Sequence, residues 1–131
     1  MKQSIETVNH NILIHKLKLM GFTNSALDLL INYLNHRFQT TMVNQATSNP
    51  MKLKLGIPQG TILAAWLFIL FINDLFNIPT KGQTICFADD TLLLYEVDRN
   101  LKLIPDDINQ SIDKFNEWFS RNLLTIFALY Q

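Results

Sequence analysis

Residues 84–97 read Thr-Ile-Cys-Phe-Ala-Asp-Asp-Thr-Leu-Leu-Leu-Tyr-Glu-Val. Two short apolar runs, Thr84 to Ala88 and Thr91 to Val97, flank the pair Asp89-Asp90, a pattern of strand, turn and strand. Adjacent aspartates set like charges side by side, which disfavours ionisation of both unless a cation or solvent screens them. Two readings stand. The pair is a solvated turn, since aspartate is common in turns. Or it holds a hard divalent cation such as Mg²⁺, which takes one or two carboxylates plus substrate phosphates. Paired metals then activate an attacking oxygen and stabilise a leaving one in phosphoryl transfer. Taken alone, the pair favours the turn and fixes no reaction.

Working outward, helical patterns surround this hairpin. Asn9 can cap a helix running to about Met20, which Gly21 ends. Thr23 or Asn24 can cap a second, with Leu27, Leu30, Ile31 and Leu34 on one face. Two extended stretches follow, Phe38 to Val43 and Met51 to Leu55, separated by polar residues Asn44 to Asn49 as in a hairpin with a longer loop. The alternation from Met51 to Leu55 predicts one wet face. Gly56-Ile57-Pro58-Gln59-Gly60 is a loop by its glycines and proline. An apolar helix from Thr61 to about Phe76 comes next. Pro105 opens a last helix with Asp106 and Asp107 at its positive end. Its stripe is Ile104, Ile108, Ile112, Phe115 and Phe119, and it reaches about Asn122. Helices mixed with hairpin strands make an α+β pattern.

Composition bounds the class. The chain has 131 residues, 48% hydrophobic and 17% charged, which is room for one domain and argues against disorder. Cys86 is the only cysteine, so a disulfide scaffold is excluded and a reducing, intracellular compartment fits, with cytoplasm and nucleus not distinguished. Met1 to Asn11 is polar and does not read as a secretory signal. The longest apolar run, Ile62 to Ile72, is shorter than the roughly 20 residues a membrane span needs, so it reads as a buried helix. Eleven basic and eleven acidic residues give a net charge of zero, which argues against a self-sufficient nucleic-acid binder.

Three blocks in order carry more than any of these features. They are Thr7-Val8-Asn9-His10-Asn11-Ile12-Leu13, then Gly56 to Leu63 with Phe68 to Leu75, then Phe87 to Thr91. Together they resemble the palm region of reverse transcriptases, particularly those of non-LTR, jockey- or LINE-type retrotransposons. That family commonly reads AFDTV-H-IL, G-PQGS-L-P-LF with INDL, and FADDT. Trp118-Phe119 with Asn122 is similar to its later W and N-L segment. The resemblance covers about Ile5 to Leu124.

The resemblance implies a palm-like antiparallel sheet with helices on one face, incomplete at both ends. Residues 1–131 would be a partial reverse transcriptase domain with fingers and thumb largely missing. The implied activity is RNA-directed DNA polymerisation with Mg²⁺, on RNA template, DNA primer and deoxynucleoside triphosphates. Asp89 matches the principal metal-ligand aspartate and Asp90 its neighbour. Pro58, Gln59 and Gly60 match the loop that lines template and incoming nucleotide. Glycine suits such close approach, although the loop can also serve only to shape a turn.

The sequence also departs from the family. Counting back from Thr7-Val8, Glu6 takes the place of the later aspartate of the first motif and Ile5 that of its aromatic. The essential first aspartate would fall just before Met1, so Glu6 does not replace it. After Leu124 the family's Asn and Lys-Thr are missing, and with them a lysine of nucleotide-binding or general-acid role. Ala64-Ala65 stands where Gly-Pro is common. These departures imply an inactive chain, truncated as in a decayed copy or partial gene. The alternative is a non-catalytic remnant or interaction module that self-associates through exposed palm surfaces. No membrane partner is implied. Neutrality fits a palm whose phosphate-gripping charge lies mostly on fingers and thumb, and it predicts weak template binding by this chain alone.

Other residues admit plainer roles. His10, His15 and His36 read as surface or partly buried and make a poor zinc set. Cys86 reads as core. Lys16, Lys18, Lys52, Lys54 and Arg37 could touch phosphates, but solvated faces are the simpler reading. Trp66, Phe68 and Phe71 read as core. Asp74 lies at the end of the apolar helix, where a carboxylate opposes the dipole.

Overall fold

The computed structural model describes residues 5–87, 90–95 and 105–124. The chain divides into two compact units, Val8–Phe71 and Met1–Thr7 with Ile72–Gln131. The class is α+β, with antiparallel strands paired two by two among the described residues.

In the first unit, helix α1 spans His10–Leu19 and helix α2 spans Asn24–Asn35. Asn9 caps α1 as its side chain predicts: Oδ1 accepts from the Asn11 and Ile12 amides at 2.9 and 3.3 Å. Gly21, at φ +91°, ends it. The Gly21 amide donates to Lys18 O and the Phe22 amide to Leu17 O, the paired bonds of a Schellman motif. Thr23 occupies the N-cap position of α2 but makes no side-chain cap bond. Leu27, Leu30 and Leu34 form the buried stripe of α2, and Leu13 and Leu17 that of α1.

The extended region differs from its sequence reading. Strand β1 (Phe38–Gln39) pairs with β4 (Met51–Lys52), and inside them β2 (Met42–Val43) pairs with β3 (Ala46–Thr47). The connection is thus a tight two-residue turn rather than a longer loop. Asn44 and Gln45 take φ +47° and +68°, the positive pair of a type I′ turn. The alternation from Met51 onward buries no complete face: Met51 and Leu55 are exposed.

Helix α3 spans Ile62–Ile72, and a 3-10 turn over Asn73–Asn77 continues it. Asp74 therefore lies just past the end of α3, in the first turn of the 3-10 segment. Ala64, Leu67, Phe68, Phe71 and Ile72 are buried, as expected for a core helix. The opposite side corrects that reading: Ile62, Trp66 and Ile69 are exposed, Trp66 by 60%. A helix apolar all round has no polar face to give to solvent.

In the second unit, β5 (Gln83–Phe87) pairs with β6 (Asp90–Leu94) in the register Phe87↔Asp90 to Gln83↔Leu94. Helix α4 spans Pro105–Arg121, with Asp106 and Asp107 in its first turn. Ser111, Phe115, Trp118, Phe119 and Asn122 are buried on one face at helical spacing. Ile104, the first residue of the predicted stripe, lies outside the described residues, and Ile108 and Ile112 are half-buried. The Trp118 and Phe119 rings meet edge to face at 5.2 Å. Lys81 Nζ pairs with Asp107 at 2.8 Å, and Lys114 Nζ donates to Pro79 O, tying the turn before β5 to α4.

Candidate functional site

Asp90 begins β6, opposite Phe87, and both are exposed. Asp89 and Ala88 lie outside the described residues. Behind Asp90, Thr91 is buried and its hydroxyl lies 3.5 Å from Cys86 Sγ across the hairpin. That contact places Cys86 on the inward side of the strand, as a packing residue. Its partner there is a hydroxyl.

Asp90 thus presents a carboxylate at the head of a hairpin, where solvent or a cation can reach it. Among the described residues, no three histidine, cysteine or acidic side chains cluster as a metal site. One hard cation held by one or two carboxylates and substrate phosphates fits this donor set. A complete two-ion centre needs further ligands.

The loop over 56–60 belongs to the first unit and is fixed at both stems. At its start, the Gly56 amide donates to Val8 O at 2.8 Å, and Asn9 bridges Leu55 in antiparallel fashion. His10 Nε2 donates to Gly56 O at 2.7 Å. Gly56 takes φ +82°, and Ile57 is buried behind it. At the far stem, Thr61 Oγ1 accepts from the Ala64 amide at 3.1 Å, the N-cap of α3, and shares a 2.7 Å hydrogen bond with Tyr33 Oη. Pro58 between the stems is half-buried, while Gln59 and Gly60 are exposed. Gly60 takes φ +83°, a conformation in which a side chain would be strained.

Two residues differ from their sequence reading. His10 is 5% exposed, more deeply buried than the surface or partly buried position expected of it. Lys16 is 9% exposed, and its Nζ donates to Phe71 O at 2.8 Å. It is therefore neither a solvated lysine nor a phosphate contact. Both partners lie tens of residues away, and the only local hint for His10 was the Asn9 cap that fixes it at the first helical position. The exposed Lys52 and Lys54 do remain available. With Asn9, His10, Asn35 and Leu55 they line a cleft of ≈ 500 Å³.

The sequence matches the reverse transcriptase (RNA-dependent DNA polymerase) family over residues 2–127. Among curated proteins it is similar to a probable RNA-directed DNA polymerase from transposon BS of Drosophila melanogaster, 32% identical over 72% of this chain and 11% of that protein. It is similar to the Pol polyprotein of type-1 retrotransposable element R2 of Popillia japonica, 22% identical over 75% of this chain and 18% of that protein. A third relative is a probable RNA-directed DNA polymerase from transposon X-element of Drosophila melanogaster, 29% identical over 71% of this chain and 11% of the relative. The chain thus spans about a tenth to a fifth of the length of these relatives. No solved structure gives a significant match. Among the described residues, no helix is long and apolar enough to cross a membrane. The order of blocks in the sequence, the hairpin that carries Asp90 and the family match agree: this chain belongs to the reverse transcriptase family.

Proposed function

We propose that residues 1–131 form the palm segment of an RNA-directed DNA polymerase, with Asp89 and Asp90 as its metal-binding carboxylates. The observation that carries this reading is an exposed aspartate at the head of an antiparallel hairpin, in a chain matched to the family over residues 2–127. Mg²⁺ is the metal of choice for oxygen ligands that share it with phosphates. When bound, it supplies charge neutralisation for nucleotidyl transfer. Asp89 and Asp90 would hold the ion. Pro58, Gln59 and Gly60 would face the template or the incoming deoxynucleotide, with Gln59 supplying the polar contact and Gly60 the close approach. RNA template and DNA primer are the partners, bound weakly by a chain of zero net charge.

The same reading makes these 131 residues inactive or nearly so on their own. Glu6 matches a different position of the first motif from the essential aspartate, so two carboxylates stand where the family uses three. A metal centre depends on its ligand set, and an incomplete set weakens it.

The metal assignment has a direct test in solution, with Mn²⁺ as a paramagnetic substitute for Mg²⁺. In the ¹⁵N-labelled chain, Mn²⁺ broadens the Asp90 and Thr91 amide signals, and the paired substitution Asp89→Asn with Asp90→Asn abolishes the effect. Equal broadening in both proteins, or none in either, rejects the assignment.

A second reading, a non-catalytic interaction module, has its own support. Ile62, Trp66 and Ile69 are exposed on one side of α3, and Ile85, Phe87, Leu92 and Leu94 are exposed on the β5–β6 hairpin. Apolar faces of this kind favour self-association. Light scattering decides: a monodisperse monomer at high concentration counts against the module.

A further inference from the structure

We propose that His10 and Tyr33 are positioning residues, clamping the two stems of the 56–60 loop and so fixing how Gln59 is presented. This rests on the reading of that loop as the part of the chain that meets nucleotide or template.

Gly56 is held by both of its backbone groups. Its amide donates to Val8 O, and its carbonyl accepts from His10 Nε2. A carbonyl only accepts, so Nε2 carries the proton, and both the neutral Nε2–H tautomer and the imidazolium can donate this bond. His10 itself cannot drift. It is the first residue of α1, directly after the Asn9 cap, and it is 95% buried by its 5% exposure. Gly56 at φ +82° then sets the direction in which the chain leaves toward Pro58. Pro58 has a fixed φ and gives the loop little freedom to relax.

The other stem is held separately. Thr61 closes the loop and caps α3 through the Ala64 amide. Tyr33, from α2, bonds the same Thr61 hydroxyl at 2.7 Å. Two side chains from two helices therefore hold the loop ends, 46 and 28 residues away from them in sequence. Between the clamped ends lie buried Ile57 and then Pro58, Gln59 and Gly60.

The test uses the full 131-residue chain and amide hydrogen exchange by NMR. His10→Ala speeds exchange of the Gly56 amide about tenfold, the loss expected when a buried hydrogen bond is removed. His10→Gln, whose side-chain amide can still donate, restores most of that protection. Tyr33→Phe, which deletes only a hydroxyl, speeds exchange at Ala64 and leaves Gly56 as it was. Amides of α4, in the other unit, keep wild-type rates in all three variants. If Gly56 exchange is unchanged in His10→Ala, or rises only together with α4, His10 is ordinary core and the proposal fails. If His10→Gln does not restore protection, the donor role fails.

Titration with a deoxynucleoside triphosphate separates this proposal from the reading it rests on. Binding by wild type that weakens about tenfold in His10→Ala, by the same hydrogen-bond loss, supports both. A loop that loosens in His10→Ala, together with a wild type that binds no nucleotide, leaves the clamp standing and removes the loop's assignment. Equal binding by wild type and by a loosened His10→Ala overturns the positioning role.

Discussion

Lys16 and Phe71, 55 residues apart, meet twice: the ammonium donates to the Phe71 carbonyl at 2.8 Å and lies 4.7 Å from the centre of the Phe71 ring. Burying an ammonium is costly unless it is paired. Phe71 offers a carbonyl near the negative end of α3 and a ring face that attracts cations. The long lysine stem fills space between α1 and the end of α3, so the residue acts as an internal strut of the Val8–Phe71 unit.

Two substitutions divide the strut into its parts. Lys16→Met keeps most of the stem and loses the bond, at a cost of about 1 kcal/mol. Lys16→Ala loses both, at about 2–3 kcal/mol. Lys18→Met, at an exposed position of the same helix, stays within about 0.5 kcal/mol. Urea unfolding of the three variants checks the order.

Leu123 is a place where the chain stabilises when changed. It takes φ +53° two residues past the end of α4, in the position glycine usually occupies. The bonds of a Schellman motif surround it, from the Leu124 amide to Phe119 O and the Leu123 amide to Ser120 O. Its side chain is 62% exposed, so little packing is lost on removal. Leu123→Gly should stabilise by about 0.5–1 kcal/mol, because the left-handed penalty outweighs the added chain entropy. Leu123→Val should destabilise. Thermal denaturation followed by circular dichroism measures both.

Gly82 precedes β5, and its need for glycine is steric. A Cβ there would meet Leu94 O at 2.6 Å and the Tyr95 ring at 2.9 Å. One obstacle is backbone of the partner strand and cannot swing aside. Gly82→Ala should cost about 1–3 kcal/mol and loosen the hairpin that presents Asp90. Faster amide exchange across β5 and β6 than in the Val8–Phe71 unit would show that the damage is local.

These sites mark where sequence reading works and where it stops. Asn9, Gly21 and Pro105 act through the nearest turn of chain, and each ended or began its helix as its chemistry predicts. The Ala46–Thr47 strand was hidden because Asn44-Gln45 lacks the glycine that normally announces a type I′ turn. Gln45→Gly should accordingly tighten that hairpin. Trp66 reads as core from the apolarity of α3, yet only packing decides which side of such a helix is covered. Lys16 and His10 find their partners 55 and 46 residues away, and no local periodicity encodes either pairing. For the candidate site, the block Phe87 to Thr91 located the hairpin and Asp90, because motif order survives where packing detail does not.

If residues 1–131 are the palm segment proposed above, with Asp89 and Asp90 as its metal-binding pair, they should not polymerise by themselves. Primer extension on an RNA template, with purified 131-residue protein, Mg²⁺ and all four deoxynucleoside triphosphates, tests this most directly. No product above that of the Asp89→Asn, Asp90→Asn variant is expected. Extension by the unaltered chain that disappears in that variant would contradict this expectation.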